Sequence, residues 1–93
     1  MADSEFEWDE EKAKSNLKMH GVSFEEGVTI FNDPEIATIS DPDHSKDEER
    51  FISIGLSGKT GLLVVIHTFR EERIRLISCR KATIAERRAY ENK

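Results

Sequence analysis

The sequence predicts an α+β fold, a small antiparallel sheet with helices packed on one face, from three observations. Two runs rich in Val, Ile and Thr, Leu62–Phe69 and Arg73–Lys81, are joined by Arg70-Glu71-Glu72 and read as a β-hairpin. Three segments with apolar residues at helical spacing each begin at a capping residue: Asp9, Ser23 and Thr83. Two shorter β-patterned segments, Ile36–Ser40 and Arg50–Ser57, stand between the second helix and the hairpin. The resulting order is β-α-α-β-β-β-β-α, four sheet strands or so, within one domain spanning residues 1–93.

Phe6-Glu7-Trp8-Asp9 places Phe6 and Trp8 on one face and reads as a short edge strand. Asp9 precedes Glu10-Glu11, an N-cap followed by acidic first-turn residues, and starts a helix over Glu10–Met19 with Ala13, Leu17 and His20 inward. Gly21 ends that helix, with His20 as a basic residue at its C-terminus. Ser23 with Glu26 forms a capping box for a second helix that runs to about Phe31, where Asn32-Asp33-Pro34 stops it. Ile36–Ser40 is a strand, Asp41-Pro42-Asp43-His44-Ser45 a polar loop, and Arg50–Ser57 a strand with Ile52, Ile54 and Leu56 on one face. Gly58-Lys59-Thr60-Gly61 is a turn; it lacks the first glycine and the following helix of a phosphate-binding loop.

The first hairpin strand is apolar almost throughout, as suits a central strand covered on both faces. The second alternates, with Ile74, Leu76, Ser78 and Arg80 to one side and Arg73, Arg75, Ile77, Cys79 and Lys81 to the other. Thr83 and Glu86 form another capping box, opening a helix over Ile84–Tyr90 that carries Arg87 and Arg88.

Ninety-three residues, 37% hydrophobic and 35% charged, suffice for a modest core, and no apolar run approaches the roughly 18–20 residues that span a membrane. The start, MADSEFEWDEE, lacks the basic-then-apolar order of a signal peptide, and the cytoplasm is the expected compartment. Cys79, the one cysteine, has no internal disulfide partner and reads as an inert thiol in a strand. Asp43 and His44 are adjacent, without a second His or Cys pair at ligand spacing, so no metal and no cofactor is expected. Net charge is −5, yet residues 1–49 hold fifteen acidic and four basic side chains, and residues 50–93 four acidic and ten basic. That asymmetry fits polyanion binding by the second half, or neutralisation of one half by the other across the fold.

Several segments together resemble the BrnT family, the toxin half of a bacterial type II toxin–antitoxin pair. They are Phe6-Glu7-Trp8-Asp9, His20 to Glu26, Asp41-Pro42-Asp43-His44, Glu49-Arg50-Phe51, Val64 to Thr68, Arg73 to Ser78, Arg80, and Thr83 to Glu91. Cys79 stands where the family more often has alanine. The resemblance implies a RelE-like fold and a ribonuclease that blocks translation. It also implies a cognate antitoxin, BrnA-like and DNA-binding, that neutralises the toxin and represses the shared promoter. DNA would then be met only through that complex, and a membrane not at all.

RNA cleavage without a metal needs activation of the 2′-OH, stabilisation of the phosphorane and protonation of the 5′-oxygen. The planar guanidinium fork matches phosphate oxygens and stays charged. The candidates are Arg50, Arg70, Arg73, Arg75 and Arg80 for phosphate and His67, Lys81 and Tyr90 for protons, of which Arg80, His67, Arg50, Arg73 and Tyr90 are taken as catalytic. Arg70, Arg75, Lys81, Arg87 and Arg88 are candidates for binding RNA. Each arginine could equally be a solvated charge or an ion-pair member, and His67 could equally be a core histidine. A second class of function stays open: a noncatalytic module whose basic sheet face binds an acidic protein or nucleic acid.

Overall fold

The computed structural model describes residues 5–43 and 48–92. Its elements are β1 (Phe6–Glu7), α1 (Glu10–His20), α2 (Phe24–Val28) with a 3-10 turn (Thr29–Asn32), β2 (Ala37–Ser40), β3 (Arg50–Leu56), β4 (Leu62–Arg70), β5 (Arg73–Lys81) and α3 (Ile84–Glu91). The expected element order holds.

The helix ends are set locally. Asp9 Oδ1 accepts the Glu11 and Lys12 N–H groups at 2.8 and 3.3 Å, satisfying donors that a helix start leaves orphaned. Gly21, at φ 72°, donates its N–H to Leu17 C=O and closes α1 in the left-handed conformation glycine adopts without a Cβ clash. Ser23 Oγ accepts from Glu26 N–H, but the expected reciprocal half of the box is replaced. The Glu26 carboxylate instead accepts from Lys59 and Thr60 N–H at 2.8 and 3.0 Å. This contact pins the turn between β3 and β4, so the Lys59 and Thr60 N–H groups already hold an anion, while the Gly58 N–H donates to Thr29 Oγ1. The Thr83–Glu86 box is complete at α3.

The sheet has five strands in the order β1-β5-β4-β3-β2. It is mixed where an antiparallel one was expected, because β1 adds to the edge of β5 in parallel; the long connection from β1 to β5 permits that direction. β4 lies at the centre, with Leu63, Val64 and Val65 wholly buried. The β4–β5 turn is tighter than a three-residue link. Glu71 and Glu72 alone form it, at φ 53° and 69°, the double left-handed geometry of a type I′ hairpin.

One irregularity reorganises β5. Ile66 faces Ser78 and His67 faces Leu76, so Ile77 is an extra residue in a β-bulge. An inserted residue inverts the alternation beyond it. Ile74, Leu76 and Cys79 therefore share one face, and Arg73, Arg75, Ser78 and Arg80 share the other. The expected placement of Arg80 beside Leu76, and of Cys79 beside Arg75, is corrected by this bulge.

The first of these faces meets α1, α2 and the 3-10 turn. Val22, Phe24, Ile30, Leu63, Val65, Leu76 and Cys79 form its core, with Phe6, Trp8, Ala13 and Phe31 packed against them. Of the residues expected inward on α1, Ala13 packs there, whereas Leu17 is 51% exposed and His20 is exposed. The buried residue of α1 is Asn16. Its amide nitrogen donates to Cys79 C=O (2.8 Å) and Val22 C=O (3.0 Å), while its Oδ1 accepts the Cys79 N–H (3.0 Å). β1 pairs only as far as Arg75, so the side chain of Asn16 supplies to Cys79 what a neighbouring strand would. α3 departs from the helical layer: it contacts β3 and is tied to the opposite face through Arg80.

Candidate nucleic-acid interface

Residues paired across strands share a face, so the sheet register assembles the arginines. Arg50 on β3, Thr68 on β4 and Arg75 on β5 form one rung; Arg70 and Arg73 form the next rung on the same side. Four arginines thus meet at one end of the face that α1 and α2 leave uncovered. Arg50 and Arg75 stand two strand spacings apart, about 10 Å. Beyond them on this face lie Ile52, Ile66 and Ile54, half-buried, and Ile39, 62% exposed. Thr68, between the two arginines, donates its hydroxyl to Glu49 C=O at 2.6 Å.

Carboxylates from the first half of the chain interleave with these arginines. Glu7 Oε1 lies 3.6 Å from Arg73 Nη1 and Oε2 3.3 Å from Arg75 Nη1. Glu48 Oε2 lies 3.4 Å from Arg50 Nε and Oε1 3.6 Å from Arg70 Nη2. Each carboxylate therefore bridges two arginines, and neutralisation of one half of the chain by the other is real at this face. Glu7 spans the β5 pair, Arg73 and Arg75, and Glu48 spans Arg50 and Arg70.

Arg80 is on the same face but about 15 Å further along β5. Both of its terminal nitrogens donate to Glu86, each at 2.8 Å. The hydrogen bonds from Arg80 are the main cause that holds the Glu86 carboxyl down at about 2. Arg80 is thus an ion-pair member, apart from the four-arginine group.

His67 is on the other face. It is 2% exposed, ringed by Phe31, Phe51 and Phe69, and its Nε2 is 2.8 Å from Ser53 Oγ. Ser53 Oγ in turn lies 2.7 Å from Thr38 Oγ1. Burial pushes the imidazole down to about 4, and Nδ1 has no hydrogen-bond partner among the described residues. This is a neutral core histidine, and the sheet separates it from the arginines; the proton-transfer role considered for it does not fit. Tyr90 donates its hydroxyl to Asp33, which pushes the phenol up to about 12 and places it at the β3 end rather than beside the four arginines. Lys81 is exposed at the end of β5, and Arg87 and Arg88 are exposed on α3. Burial likewise pushes the Cys79 thiol up to about 12, consistent with an inert core residue. No group of three or more His, Cys, Asp or Glu side chains that could hold a metal occurs among the described residues; His44 lies outside them.

Glu7, Glu48, Thr68 and Asn16 are the residues of consequence that sequence reasoning passed over. Apart from Arg50 beside Glu48 and Val22 six residues from Asn16, their partners lie 19 to 68 positions away, and no local pattern carries them.

The fold and face define a small α+β domain that presents arginines on an uncovered sheet surface. The family model described as "Ribonuclease toxin, BrnT, of type II toxin-antitoxin system" matches residues 8–86. The chain belongs to that family. The crystal structure of the Brucella abortus ribonuclease toxin BrnT superposes with a TM-score of 0.59 at 23% identity, covering 82% of this chain and 92% of that one. No curated protein matches the sequence. Among the described residues, no helix is long and apolar enough to cross a membrane.

Proposed function

We propose that this chain is a metal-independent endoribonuclease that inhibits translation and growth in the cytoplasm until a cognate antitoxin covers it. The observation that carries the reading is the gathering of Arg50, Arg70, Arg73 and Arg75 on two adjacent rungs of an uncovered face, in a chain of the BrnT family. In cleavage the 2′-hydroxyl gives up its proton to water and its oxygen attacks phosphorus, charge builds on the non-bridging oxygens of the phosphorane, and the P–O5′ bond breaks as the 5′-oxygen takes a proton from water, leaving a 2′,3′-cyclic phosphate and a 5′-hydroxyl. Arg50 and Arg75, flanking Thr68 and half-buried, meet that charge with forks that need no metal. Arg70 and Arg73, more exposed, hold flanking phosphates; Lys81, Arg87 and Arg88 add a more distant positive field.

The partner is a small BrnA-like, DNA-binding antitoxin that places acidic or aromatic side chains against Arg73 and Arg75, and DNA is met only through that complex. Covering this face excludes RNA and brings opposite charge to its arginines in one contact.

The test is RNA cleavage in excess EDTA, with and without the antitoxin, alongside Arg75→Ala. Fragments that form in EDTA, vanish on adding antitoxin and fall about 10²–10³-fold in rate for Arg75→Ala are the expected result. A mobility shift of RNA or of an acidic protein without fragments would make the chain a noncatalytic binding module instead.

A further inference from the structure

One carboxylate between two guanidinium groups has the geometry of a phosphate between them. Glu7 presents one oxygen to Arg73 at 3.6 Å and the other to Arg75 at 3.3 Å, from the edge strand β1. Such a bridge ordinarily anchors the strand that carries it. β1 has other anchors: Glu5 C=O accepts the Ile74 N–H at 2.8 Å, Phe6 packs on Phe31 with centroids 5.4 Å apart, and Trp8 packs edge-on to Phe24 at 5.7 Å. These hold β1 on the core face, while Glu7 points to the opposite, uncovered face, where a long flexible side chain can swing away without disturbing them. Both distances are also longer than the 2.7–2.9 Å of a tight charge-assisted hydrogen bond. The contact is therefore a loose one, and among the described residues a single carboxylate spans the two guanidinium groups.

We propose that Arg73 and Arg75 form a seat for an RNA backbone phosphate, and that Glu7 occupies this seat in the free protein as an internal competitor. RNA binding then exchanges a carboxylate for a phosphate. Glu7 touches no reacting atom; by occupying Arg73 and Arg75 it sets how readily the face accepts RNA. This inference rests on the ribonuclease reading of the face, and adds to it which carboxylate must leave.

The experiment measures binding of a 2′-O-methyl oligoribonucleotide, which lacks the attacking hydroxyl, to wild type and Glu7→Gln across a salt series. Glu7→Gln should bind roughly two- to fivefold more tightly at low salt, the range set by a partly exposed ion pair. Its plot of log affinity against log salt should steepen by roughly 0.7, because the wild-type arginines already carry a carboxylate and release about one fewer counterion when RNA binds. Adding Arg73→Gln to Glu7→Gln should abolish both gains. Equal affinity and equal slope for wild type and a folded Glu7→Gln would overturn the proposal. If Glu7→Gln does not fold, Arg73→Gln alone serves, because Arg73 is exposed: a shallower salt slope supports the seat, and an unchanged slope overturns it. Wild-type cleavage of unmodified RNA separates the two levels. If wild type cleaves RNA and these slopes do not move, only the Glu7 inference fails; if wild type neither binds nor cleaves RNA, the ribonuclease reading fails with it.

Discussion

Acid should weaken this fold through one histidine. His67 is buried against three phenylalanine rings and held down to about 4, whereas an unfolded chain leaves histidine at its ordinary 6.5. The unfolded state therefore takes up a proton between pH 6.5 and 4 that the folded state refuses, and stability must fall as pH drops through that window. With those two values the loss is about 2 kcal/mol at pH 5 and about 3 at pH 4, large against a total of roughly 5–15. His67→Phe keeps an aromatic ring in the cluster and removes the titration. Ser53 keeps its bond to Thr38, so the variant costs only about 1 kcal/mol at pH 7. Urea unfolding followed by circular dichroism at pH 7 and pH 5 gives the comparison. The pH-dependent loss in wild type should exceed that in His67→Phe by about 2 kcal/mol, since the carboxylates titrate alike in both. Equal losses would refute the picture of a neutral, walled-in imidazole.

Asn16→Ala strips three buried hydrogen bonds and leaves both backbone groups of Cys79 without them, so it should destabilise by about 3 kcal/mol in denaturant melts. Arg80→Ala should lower the melting temperature, with a stability loss of about 1 kcal/mol after allowing for solvent at a partly exposed pair, and should leave RNA affinity nearly intact. A full-strength melt with lost cleavage would return Arg80 to the site. The Arg80–Glu86 pair contributes stability above the ordinary carboxyl value of 4.5 that disappears as pH falls toward 2; Glu86→Gln should flatten that part of an acid titration. Glu71→Asn with Glu72→Gly relieves two left-handed non-glycine residues and should stabilise by about 1 kcal/mol, measured as a rise in denaturation midpoint.

What the chain states by itself is whatever neighbouring residues decide. The caps at Asp9, Ser23 and Thr83, the glycine stop at Gly21 and the apolar central strand, expected over Leu62–Phe69 and found one residue longer, were all legible, because each depends on groups within a few positions. So was the crowding of basic residues on the hairpin, and the ordered motifs were enough to indicate the family. The turn at Glu71-Glu72 was blurred, since neither residue advertises a left-handed backbone.

Tertiary structure decided which side chains share a surface. A single extra residue, Ile77, moves Arg80 onto the face of Arg75 and turns Cys79 into the core, and a period-two pattern cannot reveal where that inversion falls. His67 shows the same limit: an apolar strand offers it two faces, and only the packing of Phe31 and Phe51 selects the inner one. Asn16 looked like an ordinary polar helix residue until its amide met the edge of β5, 63 positions away. Glu7 and Arg75 are 68 positions apart, and their meeting depends on β1 docking parallel to β5. Local sequence sets the backbone's preferences because capping and strand propensity act over a few bonds. The arrangement of charge on a sheet face is a property of register, and register exists only once the strands have paired.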